Sequence, residues 1–176
     1  MRVRIYLGHG ASGSAATMAP FVAGLRARGL DAHAVDLPKR RAEDAIGRFL
    51  EQVPDEAGVI VGGHSFGGRV ASLIAAGIRP SALRVHRPIG LVCFSYPLHR
   101  PGHPDQLRID HWPAIRCPVL LLSGESDPFA RIDPLRTSVG LLRDAELVTF
   151  AGVGHGVRPV LDVALDRVAA FANALA

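Results

Sequence analysis

Short apolar runs rich in β-branched residues alternate along the chain with longer stretches whose apolar positions recur at helical spacing. The apolar runs predict strands over residues 3–7, 31–36, 57–62, 89–94, 118–123 and 146–150. The stretches between them predict helices over residues 14–28, 42–53, 66–77, 131–142 and 158–175. This alternation is typical of a three-layer α/β sandwich, in which a mostly parallel, six-stranded sheet carries helices on both faces.

The alternation is interrupted at residues 95–117, where proline, histidine and aromatic residues follow each other without a period. This segment begins at the carboxyl end of the fourth predicted strand, and that edge of a parallel α/β sheet is where ligands bind. So long a stretch without regular structure is uncommon in a compact domain unless it has a role. We therefore expect it to border a binding pocket.

The length and composition of the chain limit its organisation. With 176 residues and 48% hydrophobic content, it can bury one sizeable core and is too short for two ordinary domains. We expect residues 1–176 to form a single domain. The first apolar run contains Arg4 and offers no signal-peptide core, and no apolar run reaches the roughly 18 residues of a membrane span. The sequence therefore predicts a soluble, cytoplasmic protein with no membrane partner.

The charged residues and cysteines exclude several other classes. The net charge of +4 comes from dispersed arginines, and the one short basic run, residues 39–41, lacks the aromatic neighbours of a nucleic-acid surface. We expect no nucleic-acid partner. Cys93 and Cys117 lack the number and spacing of a metal cage or a disulfide framework, so we interpret both as buried thiols. No metal or organic cofactor is predicted.

The most informative segment is residues 59–68, Val-Ile-Val-Gly-Gly-His-Ser-Phe-Gly-Gly, which leads from a predicted strand into a predicted helix. A Gly-x-Ser-x-Gly motif in that context is the signature of a nucleophile elbow, a sharp turn that exposes the serine at the sheet edge. Ser65 is therefore the candidate nucleophile. The alternative is a glycine-rich turn in which the serine is incidental.

A serine hydroxyl becomes a useful nucleophile when an imidazole takes its proton and a carboxylate orients that imidazole. His155 stands in a glycine-flanked loop after the last predicted strand, and Asp127 follows the fifth. Both residues should lie at the same sheet edge as Ser65, in the chain order of α/β-hydrolase triads. Glu125 competes with Asp127 for the role of the acid, and Asp127 is favoured because it precedes a proline in the turn after its strand.

The same chemistry needs an oxyanion hole, whose donors are backbone N–H groups after the nucleophile and in the loop after the first core strand. These positions indicate the N–H groups of Phe66 and Ala11, with Ser12 as a substitute for the second. The glycines of residues 8–13 also match the Gly-x-Gly-x-x-Gly spacing of a dinucleotide site, for which Asp31 or Asp36 would supply the acidic residue. That interpretation leaves the placement of the serine, aspartate and histidine as coincidence.

With these motifs in place, the chain resembles the α/β-hydrolase superfamily over nearly its full length. It resembles more closely a group of small bacterial proteins often labelled dienelactone-hydrolase-like. The segments that carry the closer resemblance are residues 9–13, 36–41, 62–72, 96–99, 124–129 and 154–155. The resemblance implies a minimal core without a cap domain. Four side chains from these segments are candidate substrate contacts: His9, His64, Tyr96 and His99.

Two departures limit what the resemblance implies. Proteins properly called dienelactone hydrolases use a cysteine nucleophile, so Ser65 argues against importing their substrate. Many members of the small group carry lysine where this chain has His64, which makes that position uninformative about its role.

These residues predict a serine hydrolase that cleaves a small carboxylic ester or thioester through an acyl-enzyme. Two alternatives stay open: acyl transfer by the same residues, and an idle domain that binds a partner protein, a role implied by the resemblance to animal proteins of chromatin complexes. Arg100 and Arg108 are interpreted as solvated side chains, with recognition of an anionic substrate as the alternative. The oligomeric state is left open.

Overall fold

The computed structural model describes residues 2–81 and 86–176. Its sheet has six strands in the order β2-β1-β3-β4-β5-β6, and all neighbouring strands are parallel. The strands are β1 (Arg4–Gly8), β2 (Asp31–Val35), β3 (Val59–His64), β4 (Gly90–Phe94), β5 (Val119–Gly124) and β6 (Ala145–Phe150). The predicted α/β sandwich is confirmed, and every strand ends at the same edge of the sheet.

Helices cover both faces of this sheet. One face carries α1 (Ala19–Ala27) and α5 (Leu161–Ala174), while the other carries α2 (Ala42–Leu50), α3 (Phe66–Ala75) and α4 (Ile132–Ser138). In the described part of the chain, no helix has the length and apolarity to cross a membrane.

Three predicted helices are only partly α-helical, because 3₁₀ turns occupy Ala15–Met18, Val139–Leu141 and Arg158–Val160. Pro20 explains the first of these, since an α-helix that began at residue 14 would need the N–H that Pro20 lacks.

Strand β3 illustrates why the strands in the middle of the sheet are buried on both faces. Ile60 packs under α1 and α5, whereas Val59 and Val61 pack under α2 and α3. Because both faces of the sheet are covered, successive residues are buried on opposite sides and the alternation of polar and apolar residues is lost. Each such side chain contributes on the order of 1.5–3 kcal/mol when fully buried. This packing fixes the position of the end of β3, directly before Ser65.

The connection between β4 and β5, residues 95–118, contains no additional domain and has a single helical turn at Trp112–Ala114. Much of it packs into the core beneath α3. The Tyr96 and Trp112 rings meet edge to face with centroids 5.2 Å apart, and the Tyr96 hydroxyl donates a 2.7 Å hydrogen bond to the Arg108 carbonyl. The expected pocket border is thus a folded segment fixed to the α2–α3 face.

His111 joins this connection to α3. The Ser72 hydroxyl donates to the Arg69 carbonyl, so His111 Nε2–H donates to Ser72 Oγ over 2.8 Å. Burial, together with the positive charge of Arg69, lowers the pKa of His111 from 6.5 to about 4. The ring is neutral in the folded protein at pH 7.

This low pKa makes stability depend on pH. A histidine whose pKa is lower in the folded state contributes stability above its unfolded pKa, and that stability is lost as the pH falls from about 6.5 to about 4. We expect His111→Gln, which keeps a donor for Ser72, to reduce the loss of unfolding free energy between pH 7 and pH 5 by about 1–2 kcal/mol. Urea denaturation at both pH values measures this. An unchanged pH dependence in the variant would show that folding does not lower the pKa of His111.

Candidate active site

Ser65 lies in a strained turn between β3 and α3. Its φ is 50° and its ψ is −112°, a region that costs a non-glycine residue on the order of 1–3 kcal/mol. A 2.8 Å hydrogen bond from the Ser65 N–H to the Phe94 carbonyl holds this conformation at the end of β4. The turn presents the Ser65 hydroxyl at the carboxyl edge of the sheet.

The glycines of the motif allow this turn to sit directly on β1. A Cβ atom at Gly67 would lie 2.1 Å from the Gly8 carbonyl oxygen, and one at Gly63 would lie 2.3 Å from the same atom. The Gly67 N–H also donates a 2.9 Å hydrogen bond to the His9 carbonyl. Side chains at either position would push the elbow away from β1 and displace Ser65.

His155 and Asp127 complete a hydrogen-bonded chain with Ser65. His155 Nε2 lies 2.8 Å from Ser65 Oγ, and Nδ1 lies 2.9 Å and 2.8 Å from the two carboxylate oxygens of Asp127. The Asp127 side chain is 0% exposed and also accepts the Phe129 N–H over 2.7 Å. Because a carboxylate only accepts, Nδ1 carries the proton and Nε2 is free to accept from the serine hydroxyl.

Glu125, the alternative acid, has other partners. Its Oε1 accepts hydrogen bonds from Arg136 at 3.1 Å and from Thr149 at 2.8 Å. Within the described residues it forms no hydrogen bond or ion pair with His155. Its carboxylate belongs to a half-exposed network on the β6 side of the sheet.

Backbone donors lie beside the serine. Within residues 2–81 and 86–176, the N–H groups of Phe66 and Ala11 have no protein acceptor, and the same holds for the substitute, Ser12. The Gly13 N–H donates to the Gly10 carbonyl over 2.9 Å and folds this loop into a turn. Phe66 also begins α3, whose N-terminal end carries partial positive charge.

His9 and His99, two of the candidate substrate contacts, are buried, with exposures of 2% and 1%. In each ring Nδ1 lies within hydrogen-bond distance of the carbonyl of the following residue, at 2.7 Å and 2.8 Å respectively. Each Nε2 accepts a backbone N–H from a distant segment, Leu37 for His9 and Arg131 for His99. The rings tie loops together and have no free nitrogen for a substrate, so we do not propose them as substrate contacts.

The other two candidates differ from each other. Tyr96 is 2% exposed, and its hydroxyl is occupied by the Arg108 carbonyl, so it too has a structural role. His64 lies next to Ser65, and its Nε2–H donates to the His155 carbonyl over 3.2 Å. Burial lowers the pKa of His64 and favours the neutral ring. His64 thus fastens the loop of His155 to the elbow.

The sequence gives no sign of the unusual state of Ser95, which follows β4. Its φ is 52° and it is fully buried. Its hydroxyl has no partner among the described residues. Strain costs on the order of 1–3 kcal/mol and a buried unsatisfied hydroxyl about the same. We therefore expect Ser95 to lower the stability of the fold beside the site.

We expect Ser95→Gly to raise the free energy of unfolding by about 1 kcal/mol, because relief of strain and loss of the orphaned hydroxyl exceed the entropy cost of glycine. Ser95→Ala, which removes the hydroxyl and keeps the strained backbone, should give a smaller gain. Urea denaturation of the three proteins separates the two contributions. A destabilised glycine variant would mean that the hydroxyl has a partner, such as an ordered water.

The cysteines and potential metal ligands lie apart from this site. Cys93 is buried and Cys117 is half-buried, and both are free thiols. Burial raises the pKa of both thiols, that of Cys117 to about 11, so neither position favours a reactive thiolate. In the part of the chain that the structure describes, no three His, Cys, Asp or Glu side chains gather as metal ligands.

Comparison with known families identifies the class of protein. The model of an α/β-hydrolase domain family matches residues 2–174. The chain therefore belongs to the α/β-hydrolase family, as its resemblance implied. The narrower dienelactone-hydrolase-like group is not distinguished by this match.

Solved structures share the fold at low sequence identity. A monoacylglycerol lipase from Paleococcus ferrophilus is 15% identical with a TM-score of 0.77, and the match covers 98% of this chain and 95% of that chain. An esterase from Pyrococcus furiosus is 14% identical with a TM-score of 0.80, and coverage is 98% and 82%. Esterase 2 of Thermogutta terrifontis, phosphonylated by cyclosarin, is 18% identical with a TM-score of 0.70, over 97% and 80%.

Proposed function

We propose that the protein is a serine hydrolase that cleaves a carboxylic ester or thioester through an acyl-enzyme. The observation that carries this proposal is the continuous chain of hydrogen bonds from the Ser65 hydroxyl through His155 to the buried Asp127. Two unengaged backbone donors, those of Phe66 and Ala11, lie at the same sheet edge. This set supplies a nucleophile, a base, an orienting acid and an oxyanion hole.

The first half of the reaction forms the acyl-enzyme. Ser65 Oγ attacks the carbonyl carbon while His155 Nε2 takes the hydroxyl proton. The carbonyl oxygen becomes an oxyanion that accepts hydrogen bonds from the N–H groups of Phe66 and Ala11. The tetrahedral intermediate collapses, the alcohol or thiol leaves with the proton from His155, and Ser65 carries the acyl group.

The second half regenerates the enzyme. His155 Nε2 takes a proton from water, whose oxygen attacks the acyl carbon, and the carboxylic acid departs as Ser65 recovers its proton. Asp127 holds the imidazole in one tautomer and stabilises its positive charge in both halves. Because its side chain is 0% exposed, this interaction is weakly screened by solvent.

The neighbours in structure support a hydrolase without defining its substrate. Two of them act as a monoacylglycerol lipase and an esterase, and a third esterase is phosphonylated by cyclosarin. The present chain has only residues 95–118 between β4 and β5, with no domain inserted there. A site of this kind suits small or exposed acyl groups in a cytoplasmic substrate.

Steady-state hydrolysis of p-nitrophenyl butyrate and of a butyryl thioester tests the proposal and separates the two leaving groups. We expect saturable turnover of at least one of them. Addition of methanol as a competing acceptor, with product analysis, distinguishes hydrolysis from acyl transfer. A folded wild-type protein that turns over neither compound would contradict the proposal and favour the hypothesis of a partner-binding domain.

A further inference from the structure

Three guanidinium groups gather on the α2–α3 side of the proposed site, and we call them the arginine cluster: Arg69, Arg100 and Arg108. Arg69 lies in α3, whereas the other two lie in the connection between β4 and β5. The Arg108 N–H donates to the Leu98 carbonyl over 2.8 Å, so the chain returns on itself and brings both arginines to one turn. Burial, followed by the charges of Arg69 and Arg100, lowers the pKa of Arg108.

Arg69 connects the cluster to the nucleophile. The Arg69 N–H donates to the Ser65 carbonyl over 3.0 Å, which places Arg69 one helical turn after Ser65. Residues four apart on a helix have Cβ atoms about 5–6 Å from each other. Helical side chains also lean towards the N-terminus of their helix, which here is the elbow. A substrate chain of a few carbon atoms spans this interval.

The charge of the cluster is only partly balanced. Arg69 Nη2 donates to Glu43 over 2.8 Å. Among the described residues, Arg100 and Arg108 form no ion pair and no side-chain hydrogen bond. The nearby Tyr96 hydroxyl is neutral, because burial raises its pKa to about 12. Three positive charges thus face one carboxylate.

The cluster also has unused donors. Arg69 Nε is buried and has no partner among the described residues, and the half-buried Arg108 offers its whole guanidinium. Unpaired buried donors cost on the order of 1–3 kcal/mol each. Several arginines elsewhere on the surface have carboxylate partners, as in the pairs Arg28–Asp166, Arg41–Asp44 and Arg48–Glu51. Guanidinium groups whose N–H donors lack an acceptor can bind an oxyanion, such as a carboxylate or a phosphate.

We propose that the arginine cluster binds a carboxylate or phosphate group of the substrate, so that the enzyme prefers esters with a negative charge a few bonds from the reacting carbonyl. This inference rests on the proposed function of Ser65. It takes up the alternative of anionic-substrate recognition for the exposed Arg100 and the half-buried Arg108.

Matched substrates test this preference. Mono-p-nitrophenyl adipate carries a free carboxylate, and its methyl ester has the same length without the charge. We expect wild type to hydrolyse the charged ester with a kcat/KM on the order of 10–100 times higher, the range that a charge-assisted hydrogen bond supplies. Added salt should reduce the ratio. The corresponding phosphate-terminated ester distinguishes the two kinds of oxyanion.

Arg108→Gln should abolish most of this preference by raising KM for the charged ester, while kcat/KM for the neutral ester changes less than about 3-fold. Arg131→Gln is the matched control, because Arg131 is an exposed arginine at the same edge whose side chain has no partner among the described residues. Equal rates on the charged and neutral esters, or equal losses in both variants, would overturn the inference and leave the proposed function intact.

Measurements of anion binding test the inference even if no ester is turned over. Titration calorimetry of adipate and of inorganic phosphate into wild type and Arg108→Gln should show binding that is at least about 10-fold weaker in the variant. Equal binding in both proteins, or none in wild type, would overturn the inference. Loss of all ester hydrolysis with anion binding retained would overturn the proposed function alone.

Discussion

Ser65→Ala is expected to lower kcat for ester hydrolysis by at least about 10⁴-fold, because the proposed acyl-enzyme forms on the Ser65 hydroxyl. The substitution keeps a β-carbon in the same strained turn, so the fold and substrate binding should change little. The measurement is the initial rate on p-nitrophenyl butyrate, corrected for spontaneous hydrolysis, together with the urea midpoint of both proteins.

Ser126→Ala is the matched control for this loss. Ser126 is exposed in the turn that contains Asp127, and its side chain makes no hydrogen bond within the described residues. Its removal should leave kcat within about 2-fold of wild type, as for surface substitutions that break no specific contact. A Ser65→Ala protein that retains a tenth of the wild-type rate would contradict the assignment of the nucleophile.

Asp127→Asn is expected to reduce kcat by about 10³–10⁴-fold, because an amide cannot both fix the imidazole tautomer and stabilise its positive charge. KM should change little, since Asp127 lies behind the ring at the far side from the serine. Glu125→Gln provides the comparison, because the same chemical change falls on a carboxylate that contacts Arg136 and Thr149.

The substitutions of the two acidic residues are therefore expected to have different effects on activity. Glu125→Gln should retain activity within about 3-fold and lose a few tenths of a kcal/mol of stability, as expected for a half-exposed ion pair. If Glu125→Gln instead caused the larger loss of kcat, Glu125 would be the acid of the triad. Rates of both variants on one ester, measured alongside wild type, decide the matter.

The sequence predicts the six strands of the sheet better than it predicts the residues at which they end. The sequence predicts the third strand over residues 57–62, with Gly63 in the turn before Ser65. In the structure β3 runs from Val59 to His64, because Gly63 and His64 still pair with β4, and a Cβ at Gly62 would lie 2.3 Å from the Val92 carbonyl oxygen of that strand. Hydrophobic periodicity cannot register a contact with a strand that lies about 30 residues later.

The roles of the histidines show a second limit. Local sequence, an elbow and two loops at strand ends, indicates Ser65, Asp127 and His155, and the structure joins these three by hydrogen bonds. His9 and His99 stand in equally suggestive motifs, yet their partners are the N–H groups of Leu37 and Arg131. Such partners come from folding of distant segments, so a motif alone cannot separate a ligand-binding histidine from one that ties two loops.

The arginine cluster depends on tertiary structure in the same way. Arg69 is far from Arg100 and Arg108 in sequence, and the return of the chain at Leu98 brings the latter two together. Their dispersion along the sequence favoured solvated side chains. The three arginines come together only when the connection between β4 and β5 packs onto α3.

Site-resolved labelling by a fluorophosphonate tests the central claim most directly, because this reagent reacts with a serine only when it is activated by a base and an oxyanion hole. Intact-mass measurement followed by peptide mapping should find one adduct, on Ser65, that is absent from Ser65→Ala and from urea-unfolded wild type. Folded wild type that remains unlabelled, or carries the adduct on another residue, would contradict the account of Ser65 as an activated nucleophile.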